Sequence, residues 1–137
     1  MKYSLILLLF LFAFRSEIQG QTIQKDSIQV LSLVEFEKMS SKRKAKILDV
    51  RTPEEVAEGH LLGSTTVNFL SPEFSKEVEA LNKNKIYLLY CRSGSRTRKA
   101  ADAMQKMGFK HVYMLEGGIN AWKEAGKEVV KWVRFGR

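Results

Sequence analysis

Residues 86–96 read IYLLY-CRSGSR, an unbroken apolar run followed at once by a polar loop. Consecutive apolar residues without alternation are typical of a strand that is buried on both faces of a sheet. Helical spacing of apolar residues then runs from Arg96 to Met107 and ends at Gly108, a residue suited to closing a helix. The stretch therefore predicts a central strand, a short turn and a helix, with Cys91 at the junction.

The rest of the chain repeats this alternation. Ser32 and Glu35 have the form of a capping box, and Thr52 followed by Pro53 marks a second helix start. Residues 41–46 are predicted to be a basic, exposed connection. The predicted strands are 28–31, 47–50, 65–69, 86–90 and 112–115, and the predicted helices are 33–39, 53–58, 71–81, 96–107 and 118–125. This order favours an α/β domain with a mainly parallel, five-stranded sheet and helices on both faces.

The chain has 137 residues and a formal net charge of +8. Its length favours a single domain, and its 45% hydrophobic and 28% charged residues are typical of a folded globular protein. The positive charge favours binding to anionic small molecules, acidic partners or membrane surfaces, and it does not distinguish among these three classes. No nucleic-acid partner is expected, because the sequence contains no basic stripe interleaved with aromatic residues.

The N-terminus is predicted to be a targeting segment. An apolar run from Leu5 to Phe14 follows Lys2, and it is too short for a spanning helix of about 20 residues. We expect residues 1–20 to be a secretory signal peptide, so that the mature protein is periplasmic or otherwise extracytoplasmic and has no integral membrane span. The alternative is an uncleaved membrane-proximal anchor. The remaining predicted parts are a linker (21–27), a folded domain (28–126) and a basic C-terminal tail (127–137).

Cys91 is the only cysteine in the chain, so no internal disulfide can form. It is either a small buried hydrophobe or a residue that reacts. Two arginines and two serines lie within five residues of it, and burying these polar groups together would be costly. The surroundings therefore favour a reactive cysteine with a thiol that is open to small anions.

The loop after Cys91 is suited to holding a thiolate. Gly94 permits the backbone to curl with its N–H groups pointing inward. Together with the N-terminus of the following helix, such amides lower the pKa of a cysteine from about 8.5 to between about 3.5 and 7.5. Guanidinium groups add forked donors for the oxygens of sulfonates or phosphates. The predicted substrate-binding residues are Arg92, Ser93, Gly94, Ser95 and Arg96.

Four motifs, in order, resemble the rhodanese domain family of sulfurtransferases over about residues 28–126. Leu48-Asp49-Val50-Arg51 with Pro53-Glu54-Glu55 is similar to the family's entry motif. Residues 59–64, GHLLGS, resemble its Gly-His-Ile-Pro-Gly-Ala turn, with Leu62 in place of the usual proline. Residues 91–96 match its active-site loop, and Glu116-Gly117-Gly118 with Trp122 matches its closing motif.

The resemblance implies a rhodanese-like fold and a sulfurtransferase that needs no metal or organic cofactor. Cys91 is then the catalytic residue. Its thiolate takes the outer sulfur of a donor such as thiosulfate, and cyanide or a thiol removes that sulfur from the Cys91 persulfide. The implied partners are a small anionic donor and a thiol or protein acceptor. A reducing partner is also expected, because a reactive thiol outside the cytoplasm is prone to oxidation.

Two alternatives stay open. Four residues separate Cys91 from Arg96, the shorter spacing that the resemblance associates with sulfur transfer. Phosphatases on similar domains hold the arginine one residue further on, where this chain has Thr97, so phosphatase or arsenate reductase activity is the less favoured alternative. The more favoured alternative is a sulfur-carrier or redox-sensing module that uses Cys91 without turnover.

Four further residues are predicted to support the site without reacting: Asp49, Arg51, Gly117 and Gly118. A carboxylate at the end of a buried strand must be paired, and consecutive glycines permit a tight turn near the pocket rim. His60 and His111 have no second ligand at metal-binding spacing, so no metal site is expected.

Overall fold

A computed structural model of the protein describes residues 28–132. The predicted signal peptide, the linker 21–27 and the last five residues of the predicted tail lie outside the described residues. Within the described range, no helix has both the length and the apolar character needed to cross a bilayer.

The strands form one sheet and comprise β1 (Gln29–Leu31), β2 (Ala45–Asp49), β3 (Ser64–Thr66), β4 (Ile86–Tyr90) and β5 (Val112–Leu115). Their order is β1-β5-β4-β2-β3, and every pair is parallel. The predicted five-stranded α/β fold is therefore confirmed. β4 occupies the centre, and its residues 87–90 are at most 2% exposed, as its unbroken apolar sequence predicts.

The helices that connect the strands are α1 (Leu33–Ser40), α2 (Pro53–Glu58), α3 (Phe74–Glu79), α4 (Ser95–Lys106) and α5 (Gly118–Glu124). At the start of α1, Ser32 Oγ accepts the N–H of Glu35, and the Glu35 carboxylate accepts the N–H of Ser32. Thr52 and Glu55 form the same reciprocal pair at the start of α2. Both predicted helix starts are thus stabilised by side chains that satisfy otherwise unpaired backbone donors.

The sheet separates two apolar layers, because successive side chains of a strand point to opposite faces. On one side of the sheet, Leu89 belongs to a core that contains Met104 of α4. On the other side, Leu88 shares a core with Phe36 of α1 and Ile119 of α5. Helices on both faces hold β4 in place and thereby fix the position of the residue that follows it, Cys91.

Some predicted boundaries are wrong. β2 begins at Ala45, because the backbone of residues 45 and 46 already pairs with β4 while Lys46 keeps its side chain in solvent. β3 ends at Thr66 and not at residue 69, although the N–H groups of Val67 and Phe69 still bond the backbone of residues 49 and 50. α3 begins at Phe74, because residues 71–73 form a turn in which the Ser71 hydroxyl accepts the N–H of Glu73.

The described part of the predicted tail packs against the domain. Val130 and His60 exchange two backbone hydrogen bonds of 2.8 and 2.9 Å in an antiparallel bridge. Trp132 stacks on the His60 ring with 4.6 Å between ring centroids, and Lys127 forms an ion pair with Glu37 at 2.7 Å. Residues 127–132 are therefore an ordered extension of the domain, which the basic composition of the tail did not indicate.

α5 approaches the chain that leaves β4 very closely. The N–H groups of Ile119 and Asn120 donate to the carbonyls of Cys91 and Arg92 at 2.9 and 3.2 Å. Gly118 has a positive φ of 59°, and a Cβ at this position would lie 2.6 Å from the carbonyl oxygen of Cys91. Only glycine fits, so Gly118 lets the start of α5 hold the active-site loop by its carbonyl groups.

We predict that Gly118→Ala destabilises the domain far more than Gly126→Ala. Gly126 has a similar φ of 72°, but its added Cβ would meet nothing within 4 Å. Each substitution forces alanine into the left-handed backbone region. This lowers the free energy of unfolding by about 1–2 kcal/mol and the Tm by roughly 5–10 °C. Gly118→Ala adds a clash with backbone atoms and should at least double that shift in thermal unfolding followed by circular dichroism. Equal shifts for the two variants would contradict the close approach.

Candidate active site

Cys91 follows the carboxyl end of β4 and precedes the N-terminus of α4. Its Sγ accepts a hydrogen bond from the backbone N–H of Gly94 at 3.1 Å. Gly94 has a φ of 116°, the conformation that permits the predicted inward curl of the loop. The sequence predicts a thiol that is open to small anions, whereas Cys91 is only 1% exposed in this geometry.

The surroundings of Cys91 lower the pKa of its thiol. Burial acts in the opposite direction and is the largest single effect on this pKa. Burial is outweighed by the neighbouring hydroxyl of Thr97 and by the N–H groups of Thr97, Gly94 and Ser93, of which that of Gly94 forms the hydrogen bond to Sγ at 3.1 Å. The prediction of a sulfur that ionises easily therefore agrees with the loop geometry, and several weak donors acting on one atom produce the effect.

The thiol takes the place of a missing helix cap. Gly94 is the N-cap residue of α4 and has no side chain with which to accept the N–H groups of the first turn. Sγ lies at this position and accepts the N–H of Gly94, much as a capping oxygen accepts an N–H of the first turn. The partial positive charge at the helix N-terminus favours the anionic form of the sulfur.

The side chains of three other loop residues lie on the outside of the loop. Arg92, Ser93 and Ser95 are exposed, so their side chains are available to a ligand that approaches the loop from solvent. The backbone carbonyl of Arg92 is held by Asn120 of α5. The loop thus has an interior of N–H groups around Sγ and an exterior that carries a guanidinium group and two hydroxyls.

Arg96 is bound to a partner that the sequence did not indicate. Its Nη1 and Nη2 donate to the two carboxylate oxygens of Glu55 at 2.6 and 2.8 Å. The hydrogen bond from Arg96 lowers the pKa of Glu55 to about 2, so the carboxylate is ionised at neutral pH. The role of Arg96 in substrate binding stays a prediction; in this geometry Glu55 holds both of these donors, and the charge of Arg96 still acts on the Cys91 thiolate.

Asp49 and Arg51 form a buried ion pair beneath α2. They are 0% and 4% exposed, and Arg51 Nε donates to Asp49 Oδ1 at 2.8 Å. Arg51 also donates to the backbone carbonyls of Glu55 and Gly59 at 3.3 and 2.8 Å. It thereby ties α2 and its C-cap residue to the end of β2, and so holds the helix that carries the Arg96 partner.

Two functional candidates were missed by the sequence reasoning. Glu55 stands out as a helix-start residue and as part of the entry motif, but nothing in the sequence connects it with Arg96, which is 41 positions away. Thr97 is fully buried beside Cys91, whereas the sequence reasoning used it only to measure the loop spacing. The position of Thr97 in the first turn of the helix that follows Cys91 was the signal that could have identified this residue.

Among the residues described by the structure, no group of three or more histidine, cysteine, aspartate or glutamate side chains is placed to hold a metal ion.

Comparison with known proteins agrees with the fold. The family model of the rhodanese-like domain matches residues 32–125. The chain is 36% identical to "Putative sulfurtransferase YtwF" of Bacillus subtilis, over 64% of this chain and 82% of the relative. It is 37% identical to "Putative sulfur carrier protein YrkF" of the same organism, over 70% of this chain and 51% of the relative.

A solved structure gives the same result. The crystal structure of a rhodanese-like domain protein from Staphylococcus aureus superposes with a TM-score of 0.66 at 26% identity, covering 77% of this chain and all of that one. The family model spans more than half of the sequence and includes every element from α1 to α5. The chain therefore belongs to the rhodanese-like domain family.

Proposed function

We propose that the protein is a sulfurtransferase that carries sulfur as a persulfide on Cys91, with thiosulfate as a donor. The observation that carries this proposal is the position of Cys91 Sγ, which accepts the N–H of Gly94 at the start of α4 and has a lowered pKa. A sulfur atom that ionises easily attacks sulfur without a general base. The names of the relatives support sulfur handling but leave the donor open.

In the first step, a lone pair of the Cys91 thiolate forms a bond to the outer sulfur of thiosulfate. The S–S bond of the donor breaks, and its electron pair leaves with sulfite. The persulfide that remains on Cys91 keeps a negative charge on its terminal sulfur, and in this proposal the N–H groups of the loop, among them those of Ser93 and Gly94 beside Sγ, stabilise it. No proton has to move, and no external oxidant or reductant is consumed.

In the second step, a nucleophilic acceptor attacks the terminal sulfur of the persulfide. The bond between that sulfur and Cys91 Sγ breaks, and its electrons return to Sγ. Cyanide or a thiolate is a suitable acceptor, and the product leaves as thiocyanate or as a new persulfide. The cycle thus returns Cys91 to its original thiolate.

The closed loop favours sulfur over phosphorus as the attacked atom. Cys91 is 1% exposed, so a substrate must reach Sγ through a narrow approach. The outer sulfur of thiosulfate is a terminal atom without substituents, whereas the phosphorus of a phosphate ester is surrounded by oxygens. This steric difference supports sulfur transfer and argues against the phosphatase alternative.

A sulfur-carrier role is the second candidate, and the name of one relative favours it. In that case Cys91 accepts one sulfur and delivers it to a single protein partner without multiple turnover of small molecules. The chemistry at Sγ is the same, so only the fate of the persulfide separates the two proposals.

We also propose that residues 1–20 direct export, which rests on the sequence alone. Outside the cytoplasm, the Cys91 thiol then depends on a reducing partner. The expected mass of the protein from the extracytoplasmic fraction is that of a chain cleaved after residue 20, and recovery of the full-length chain from the membrane fraction would instead indicate an anchor.

We predict that thiosulfate adds the mass of one sulfur atom to the reduced protein, and that the Cys91→Ser variant stays unchanged. Intact-mass spectrometry measures the addition because Cys91 is the only cysteine. Cyanide should then remove the added sulfur, and steady-state thiocyanate formation should require Cys91. Sulfur loading without turnover above the level of Cys91→Ser would favour the carrier, and absence of loading would contradict both candidates.

We predict that Glu55→Gln lowers the KM for thiosulfate roughly threefold at low ionic strength, because the Arg96 cation loses its neutralising partner and attracts the donor dianion more strongly. Glutamine retains the capping bond at the start of α2. Glu54→Gln is the matched control, since it removes the same charge from an exposed neighbouring position. Equal KM values for the two variants, or a difference that persists at high salt, would count against this role of Glu55.

The ion pair also gives the protein a defined acid sensitivity. The pKa of Glu55 is lowered from 4.5 to about 2 in the folded protein, so the stability that it contributes is complete above pH 4.5 and is lost as the pH falls toward 2. We predict that the wild type is more stable than Glu55→Gln in urea unfolding at pH 7 and that this advantage disappears near pH 2. A constant difference across this range would show that ionisation of Glu55 is not responsible.

A further inference from the structure

The hydroxyl of Thr97 is a buried polar group that the fold itself does not use. Thr97 is 0% exposed, and its Oγ1 has no well-oriented hydrogen-bond partner among residues 28–132. Proteins rarely bury a hydroxyl without a partner, because the group loses its bonds to water. A valine of similar shape would avoid this cost, so the hydroxyl points to a partner with which it interacts during function.

The position of Thr97 in α4 identifies that partner. Thr97 is the third residue of the helix, after Ser95 and Arg96, and the third position is where backbone N–H groups turn toward a capping acceptor. Gly94 offers no side-chain acceptor, and Cys91 Sγ already receives the Gly94 N–H at 3.1 Å. Sγ is therefore the acceptor at the start of α4, and it lies close enough to the Thr97 hydroxyl to be influenced by it.

We propose that Thr97 Oγ1 donates a hydrogen bond to Cys91 Sγ when this sulfur is a thiolate, and that this bond makes Cys91 a better leaving group when the persulfide is discharged. The proposal rests on the sulfur-transfer function proposed above. It agrees with the pKa of Cys91: burial raises this pKa, and the Thr97 hydroxyl is the largest of the effects that lower it. In the present geometry Oγ1 has no hydrogen-bond partner, so the proposed bond is one that forms when Sγ is ionised.

This bond affects the two steps of sulfur transfer in opposite ways. When the persulfide is discharged, the electrons of the S–S bond return to Sγ, and a hydroxyl that stabilises the thiolate speeds its departure. When the thiolate attacks the donor, the same bond stabilises the nucleophile and makes it less reactive. Thr97 therefore makes the Cys91 thiolate slower to attack the donor. It also raises the fraction of Cys91 that is ionised at neutral pH and speeds the discharge of the persulfide.

Thr97→Val and Thr97→Ser test the proposal in the reduced protein. The first readout is the pH dependence of alkylation of Cys91 by iodoacetamide, which does not depend on sulfur transfer. Thr97→Val should move the midpoint upward by about one pH unit, because it removes a hydrogen bond to a charged group, and Thr97→Ser should stay near the wild type. The Tm of Thr97→Val should not fall, since the lost hydroxyl has no other partner; if valine does not fold, Thr97→Ala is used in its place.

The second readout separates the steps by rapid quench and intact mass. Above the pKa of both variants, Thr97→Val should load sulfur from thiosulfate about threefold faster than the wild type, as the Brønsted slope for thiols predicts, yet discharge it to cyanide several-fold more slowly. An unchanged alkylation midpoint, or rates that both fall together, would overturn the proposal. A raised midpoint in Thr97→Val, with no sulfur loading even in the wild type, would support the Thr97 contact and overturn sulfur transfer.

Discussion

The structure depends on one electrostatic arrangement, in which the sulfur of Cys91 lies at the uncapped N-terminus of α4. Burial opposes ionisation of the thiol, and a buried cysteine in apolar surroundings would stay neutral. Here the donors of one tight loop, with Gly94 closest at 3.1 Å, more than offset that cost. The site therefore keeps a nucleophile away from solvent without losing its charge, which suits a cysteine that exchanges sulfur with small anions.

The rest of the fold holds this loop in position. β4 is fixed at the centre of the sheet, and α5 binds the loop carbonyls through a contact that only Gly118 permits. On the opposite side, Arg51 ties α2 to the end of β2, and Glu55 of that helix binds Arg96. β4, α5 and α2, which lie far apart in sequence, thus hold the loop whose N–H groups surround Sγ. The positive charge of Arg96 near the sulfur is paired with the carboxylate of Glu55.

Local sequence signals predicted much of this arrangement. The apolar run of β4, the caps at Ser32 and Thr52 and the need for glycine at position 94 each follow from residues within a few positions of one another. The pairing of Glu55 with Arg96 could not be predicted, because it depends on how α2 and α4 meet in the folded chain. The low exposure of Cys91 was also missed, since polar neighbours indicate a reactive loop but not which way it folds over the sulfur. Likewise, the charge of the C-terminal tail gave no sign that Trp132 stacks on His60.

The most direct test of the account is a pH titration of the thiolate absorbance of the reduced wild type, folded and in concentrated urea, with Cys91→Ser as the blank. The account predicts a lower midpoint in the folded protein than in the unfolded chain, where an ordinary cysteine ionises at about 8.5. A folded midpoint equal to or above the unfolded one would mean that the loop and α4 do not overcome the cost of burial, and the proposed chemistry at Cys91 would then lose its physical basis.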